Sequence, residues 1–190
     1  ILAMPASVSA KVPGRAGVWQ TGASAGTASL SWQECEGAAY YKIYYRYASQ
    51  SGYHHLKDIK ASGNVQKTSV KLPKAGRIYR IRVTPCRQDG KSAGGAYETE
   101  CRTLPGKIGL RSQKSYATSR KMRFYWKAEE SAAGYELLAA DLAGQTVGRQ
   151  RVEGRASAVV PDLFTQQFYR LRIRGYCRID GKIVYGAASY

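Results

Sequence analysis

The sequence predicts an all-β chain built as two β-sandwich domains in tandem, and three observations carry that prediction. Apolar and polar residues alternate with a period of two in run after run, turn-forming clusters separate the runs, and the whole pattern occurs twice. Such alternation marks a half-buried strand, because successive side chains of an extended chain point to opposite faces.

In chain order, "TASLSW" sets Ala28, Leu30 and Trp32 against polar neighbours. "YYKIYYRY" sets Tyr41, Ile43 and Tyr45 against Tyr40, Lys42, Tyr44 and Arg46. "IYRIRV" puts Tyr79, Ile81 and Val83 on one face and Arg80 and Arg82 on the other. Between them lie "SQSG", "ASGN", "PKAG" and "QDGK", all turn compositions. Only "SAAGYELLAADLAG" has a helical look, and Gly134, Gly144 and its alignment with a first-copy strand favour a strand instead.

The repeat is visible residue by residue. Trp32, Ala38, Tyr41 and Ile43 fall on Trp126, Ala132, Tyr135 and Leu137 at an offset of 94. "YRIRV" from Tyr79 matches "YRLRI" from Tyr169 at 90, and "CRQDGK" from Cys86 returns as "CRIDGK" from Cys177 at 91. Small changes of offset between matched strands are loop-length differences. The unit has the size of an immunoglobulin-like sandwich. Pro105-Gly106 breaks strand pairing between the copies, so the expected domains are 1–104 and 105–190.

Composition bounds the partners. Thirty Lys and Arg against thirteen Asp and Glu give a net charge of +17, which favours polyanionic partners or a self-repelling solvated surface. No apolar run is long enough for a spanning helix, so membrane insertion is not expected. The opening "ILAMPASVSA" lacks the basic and apolar regions of a signal peptide, as expected of a mature product or an excised fragment.

Trp32 with "GAAYYKI" and "LPKAGRIYRIRV", and Trp126 with "SAAGYEL" and "LFTQQFYRLRI", resemble the ordered pattern of a fibronectin type III domain, found twice. The ending "DGKIVYGAAS" is similar to the last hairpin of such domains in secreted Gram-positive bacterial proteins. The resemblance implies two seven-stranded immunoglobulin-like sandwiches. It places Trp32, Tyr41, Tyr79, Trp126, Tyr135 and Tyr169 in the cores, with Tyr79 and Tyr169 as corner tyrosines. Residues 13–28, with a third tryptophan at Trp19, have no place in the pattern, and the second copy reaches Tyr190 inside its expected last strand.

In the topology that this resemblance implies, Cys35 and Cys86 lie by the upper loops of domain 1. Cys101 lies at its lower end, beside the linker. The position matching Cys35 in the second copy is Glu129, which leaves Cys177 without a local partner. The expectation is a Cys35–Cys86 disulfide within domain 1 and a Cys101–Cys177 disulfide across the boundary, the alternative being four reduced thiols. No Cys-x-x-Cys spacing occurs and the two histidines are adjacent, so no metal is expected.

Nothing in the sequence reads as an enzyme or calls for a cofactor. His54-His55 has no orienting partner in view, the carboxylates are sparse, and "GRAG" and "SAGG" lack the Lys-Ser/Thr of a phosphate loop. The candidate ligand face is the outward side of the strands already named. It comprises Tyr40, Lys42, Tyr44, Arg46, Arg80 and Arg82, with Arg170, Arg172 and Arg174 in the second copy. These side chains either stabilise the sheet as cross-strand neighbours or bind an anionic glycan or cell-wall polymer. Nucleic acid is disfavoured because no closed barrel with base-stacking aromatics is in view.

Three functions stand side by side. The first is an extracellular, monomeric spacer and interaction module of a larger secreted or cell-surface protein, its partners being other domains of the same polypeptide or a host protein. The second is an adhesin-like binder of anionic polymers. The third is an accessory region of a secreted glycan-degrading enzyme. A cytokine-receptor-like pair is set aside because the Trp-Ser-x-Trp-Ser element is absent.

Overall fold

The computed structural model describes residues 17–115, 120–164 and 167–189. Fourteen strands and no helix occur among them. The first seven are β1 (Val18–Ala23), β2 (Thr27–Gln33), β3 (Tyr40–Tyr47), β4 (His54–Lys60), β5 (Val65–Lys71), β6 (Ile78–Cys86) and β7 (Tyr97–Arg102). The second seven are β8 (Leu110–Ser115), β9 (Lys121–Trp126), β10 (Gly134–Ala140), β11 (Thr146–Glu153), β12 (Ser157–Pro161), β13 (Arg170–Ile179) and β14 (Lys182–Ser189).

Each set makes one sandwich of a three-stranded and a four-stranded sheet. The orders are β1-β2-β5 with β4-β3-β6-β7, then β12-β9-β8 with β11-β10-β13-β14. All pairings are antiparallel. The fold is all-β, two seven-stranded sandwiches with the strand order of fibronectin type III domains. The segment with a helical look is strand β10.

The alternation read from the sequence builds the cores. Trp32 and Tyr41 are fully buried and meet edge to face, ring centroids 5.4 Å apart, among Leu30, Ile43, Ile81 and Val83. Trp126 and Tyr135 repeat the contact at 5.1 Å, with Leu137 and Ile173 around them. Both corner tyrosines bond backbone five residues upstream. The Tyr79 hydroxyl accepts from the Lys74 amide and donates to the Lys74 carbonyl. The half-buried Tyr169 accepts from the Phe164 amide at 2.8 Å.

Residues 17–28, which the repeat left without a place, form β1, a turn and the start of β2, with Trp19 opposite Ser31; residues 13–16 lie outside the described part. From β1 the Gln20 carboxamide reaches the neighbouring sheet. It donates to the Arg102 carbonyl at 2.7 Å and accepts from the Arg102 amide at 2.9 Å.

The two copies of Cys-Arg-x-Asp-Gly-Lys fold into different hairpins. In the second, Asp180 and Gly181 take positive φ of 50° and 74°, and Ile179 pairs with Lys182 in a two-residue turn. In the first, only Gly90 is left-handed, at 83°, and the Arg87 amide donates to the Lys91 carbonyl across three residues. The residues after the turn account for the difference. "KIVYGA" alternates and pairs at once as β14, whereas "KSAGGA" does not, and β7 begins only at Tyr97.

That one-residue difference changes which way each cysteine faces. Tyr40 pairs with Cys86, while Gly134, its match at offset 94, pairs with Tyr176. The structural counterpart of Cys86 is therefore Tyr176, and Cys177 lies on the opposite face.

All four thiols are free, so the two expected disulfides are corrected. Cys86 shares the parity of Arg80, Arg82 and Thr84 on the outer face, whereas Cys35 packs against the inner core. Cys86 lies opposite Ser92 in an isolated bridge. Cys101 is buried within the domain 1 core, beside Tyr79 in register. Cys177 belongs to a separate cluster at the domain boundary, with Leu104 and Ile179 packed against Ala23 and Val184. Its thiol donates to the Ser131 carbonyl at 3.1 Å.

The connection between the sandwiches is part of this packing. A Cβ at Gly186 would come within 2.1 Å of the Pro105 carbonyl oxygen, and one at Gly175 within 2.8 Å of the Pro105 Cβ. The Ala187 amide donates to the same carbonyl at 3.2 Å. Across the boundary the Ser131 amide donates to Gly76 at 3.1 Å, and Arg77 pairs with Glu130 at 2.9 Å.

Candidate functional site

The candidate residues lie on the outer faces of the two four-stranded sheets, and the two domains arrange them differently. In domain 1, β3 and β6 pair in register, so Tyr44 faces Arg82 and Arg46 faces Arg80. β7 then sets Glu98 opposite Arg82 and Glu100 opposite Arg80. Arg82 bonds Glu98 at 2.6 Å and lies 4.1 Å from the Tyr53 ring centroid. Arg46 stands over the same ring at 5.3 Å, and Lys42 over Tyr40 at 5.9 Å. Arg80 and Arg102 both reach Glu100.

These are half-exposed pairs. The Glu98 hydrogen bond holds the Arg82 guanidinium above its ordinary pKa, and Arg82 in turn holds the Glu98 carboxyl below the usual range. Exposed pairs of this kind contribute about 0–1 kcal/mol each. The adjacent histidines sit on edge strand β4, His54 against the Tyr45 ring and His55 bonded to Asp58 at 2.7 Å. Among the described residues no three His, Cys, Asp or Glu side chains group as metal ligands.

Domain 2 concentrates its charge on one carboxylate. Glu136 on β10 has Arg151 opposite it on β11 and Arg174 opposite it on β13, with Arg149 on the next outward position of β11. Its side chain is fully covered. Oε1 accepts from Arg174 Nε at 2.9 Å and Nη2 at 2.6 Å. Oε2 accepts from Arg149 Nε at 3.2 Å and Nη2 at 2.5 Å, from Arg151 at 3.3 Å, and from the Tyr185 hydroxyl at 3.2 Å. The Arg174 guanidinium lies 3.7 Å from the Tyr185 ring centroid. Burial alone would raise the Glu136 pKa, but the hydrogen bonds from Arg149, Arg174 and Arg151 outweigh it and bring it to about 2.

Of the second-copy candidates, Arg174 belongs to this cluster. Arg172 sits opposite Leu138, and Arg170 is exposed at the start of β13. Sequence reasoning missed Glu136, Arg149, Arg151 and Tyr185. The available signal was "GRQRVE", whose alternation sets Arg149 and Arg151 on one face.

No family model matches the chain, and no curated protein matches it. Among solved structures, a two-domain fibronectin type III segment of chicken tenascin is 13% identical, covers 92% of this chain and 97% of that one, with a TM-score of 0.44. The FN1–FN3 domains of chicken CNTN1 are 14% identical, covering 92% of this chain and 64% of that one, with a TM-score of 0.41. The fold is fibronectin type III-like. That description rests on the strand order and register of each type III-like sandwich.

Proposed function

We propose that the chain is a non-catalytic spacer and interaction module, a rigid tandem that works as part of a larger extracellular protein. One observation carries the reading. The segment joining the sandwiches is buried against domain 2, Leu104 with Cys177 and Ile179, and Pro105 with Gly175 and Gly186. Relative motion is the default for linked domains unless their interface is large and apolar. Here the linker is packed and the backbones are hydrogen bonded across the boundary, which favours a fixed angle between the sandwiches.

Residual dipolar couplings of the whole chain test this. A single alignment tensor for both sandwiches is expected, with a monomeric mass in solution. Two independent tensors would sink the reading.

A further inference from the structure

We infer that the outer face of the domain 2 sheet is a binding site for a linear polyanion carrying successive sulfate or phosphate groups, held by Arg149, Arg151 and Arg174 over the buried Glu136. Three cations converge there on one carboxylate, so the cluster keeps a positive excess after its internal pairs are made. Glu136 has no exposed surface, whereas the side chains of Arg149, Arg151 and Arg174 are 60%, 44% and 24% exposed. An approaching anion meets guanidinium groups, with the carboxylate beneath them.

The donors left over suit oxyanions. Arg149 and Arg174 spend Nε and Nη2 on Glu136, and Arg151 spends Nη2 on Glu136 and Tyr185. Among the described residues none of the three has an Nη1 bond, so each keeps a pair of donors for a ligand. A tetrahedral sulfate or phosphate group accepts from two guanidinium groups at once. The side chains are already pinned by Glu136 and by stacking on Tyr185, which lowers the ordering cost of binding.

Strand spacing argues for a polymer. Arg149 and Arg151 on β11 and Arg174 on β13 flank β10, so the two rows stand roughly 10 Å apart at the backbone. At their tips the three guanidinium groups meet over Glu136 and take one sulfate or phosphate group, and successive groups of a chain reach the further outward positions along β13. Arg170 and Arg172 extend the row along β13. Domain 1 lacks this arrangement, because Arg80 and Arg82 each have an exposed glutamate across the strand pair that competes with any anion.

The test titrates the whole chain with two fluorescent probes of equal charge, a sulfated hexasaccharide and a linear polyphosphate. Binding of at least one probe is expected near physiological salt. Arg149→Gln with Arg151→Gln should weaken it about tenfold, while Arg80→Gln with Arg82→Gln should leave it within about twofold. Binding of the hexasaccharide alone identifies a sulfated glycan, and binding of the polyphosphate alone a phosphate polymer. Should the double variant fail to keep its melting temperature, Arg149→Gln alone, at the most exposed of the three, replaces it with about a threefold loss expected. The inference is overturned if neither probe binds, or if the domain 1 pair weakens binding as much as the domain 2 pair.

Discussion

The Arg174 guanidinium grips one oxygen of Glu136 through both Nε and Nη2, at 2.9 and 2.6 Å, while Arg149 and Arg151 hold the other. A surface arginine thereby covers a carboxylate that the sheet alone would leave exposed.

This makes domain 2 sensitive to acid. The folded pKa of Glu136 is lowered to about 2, so its contribution is present above the ordinary value of 4.5 and is lost as pH falls from there through about 2. Allowing for screening at the exposed arginines, the loss is about 2 kcal/mol. Urea midpoints of the wild type should fall across that window. Glu136→Gln should start lower and fall less, and an equal fall in both proteins would refute the assignment.

At the other end of the scale stands Tyr79. Burial, only partly offset by its bonds to Lys74, pushes its pKa up to about 12. Its contribution is complete below pH 10 and lost as pH rises through about 12. Tyr79→Phe removes both bonds to Lys74, at about 1–2 kcal/mol, and should flatten the alkaline slope of domain 1 stability. The check is phenolate absorbance recorded alongside unfolding.

The thiols should react in an order set by burial. Cys35 is the partly exposed one, and Cys86, Cys101 and Cys177 are buried. Burial pushes the Cys101 thiol up to about 12 and raises that of Cys177. One fast-reacting thiol in the native protein and three more on unfolding are expected from a chromogenic thiol reagent. Three or four fast thiols would contradict the packing described.

Gly186 tests the linker. Gly186→Ala drives a Cβ against the Pro105 carbonyl, a backbone group that cannot step aside as a side chain would. A loss of about 1–3 kcal/mol is expected, together with a second alignment tensor as the sandwiches decouple. Gly26→Ala meets nothing within 4 Å and should stay within about 0.5 kcal/mol of wild type.

What was legible in the sequence was local. Trp32, Tyr41 and Tyr79 declare themselves by alternation within their own strands, Trp126 and Tyr135 by their match to the first copy, and all five are buried. The hairpins were less so. Both copies read Cys-Arg-x-Asp-Gly-Lys, and turn length was decided by whether the following residues run on as a strand, as Ile183 and Val184 do, whereas Ser92 makes only an isolated bridge to Cys86 before β7 begins at Tyr97. Glu136 was hidden for a different reason. Its cover comes from side chains 13 to 49 residues away in sequence, brought over it by pairing that no single strand encodes.

The Gln20 carboxamide, bonded to both backbone groups of Arg102, has a consequence for neighbours in an array. β1 and β7 are edge strands, and an edge with unused amides invites a foreign strand. Domains tethered in series face one another at roughly millimolar effective concentration, which favours exchange of strands between them. A single glutamine imitates the missing strand at the place where such an intruder would begin to pair. Its side chain thus occupies the hydrogen-bonding groups that a foreign strand would need at that point of the edge.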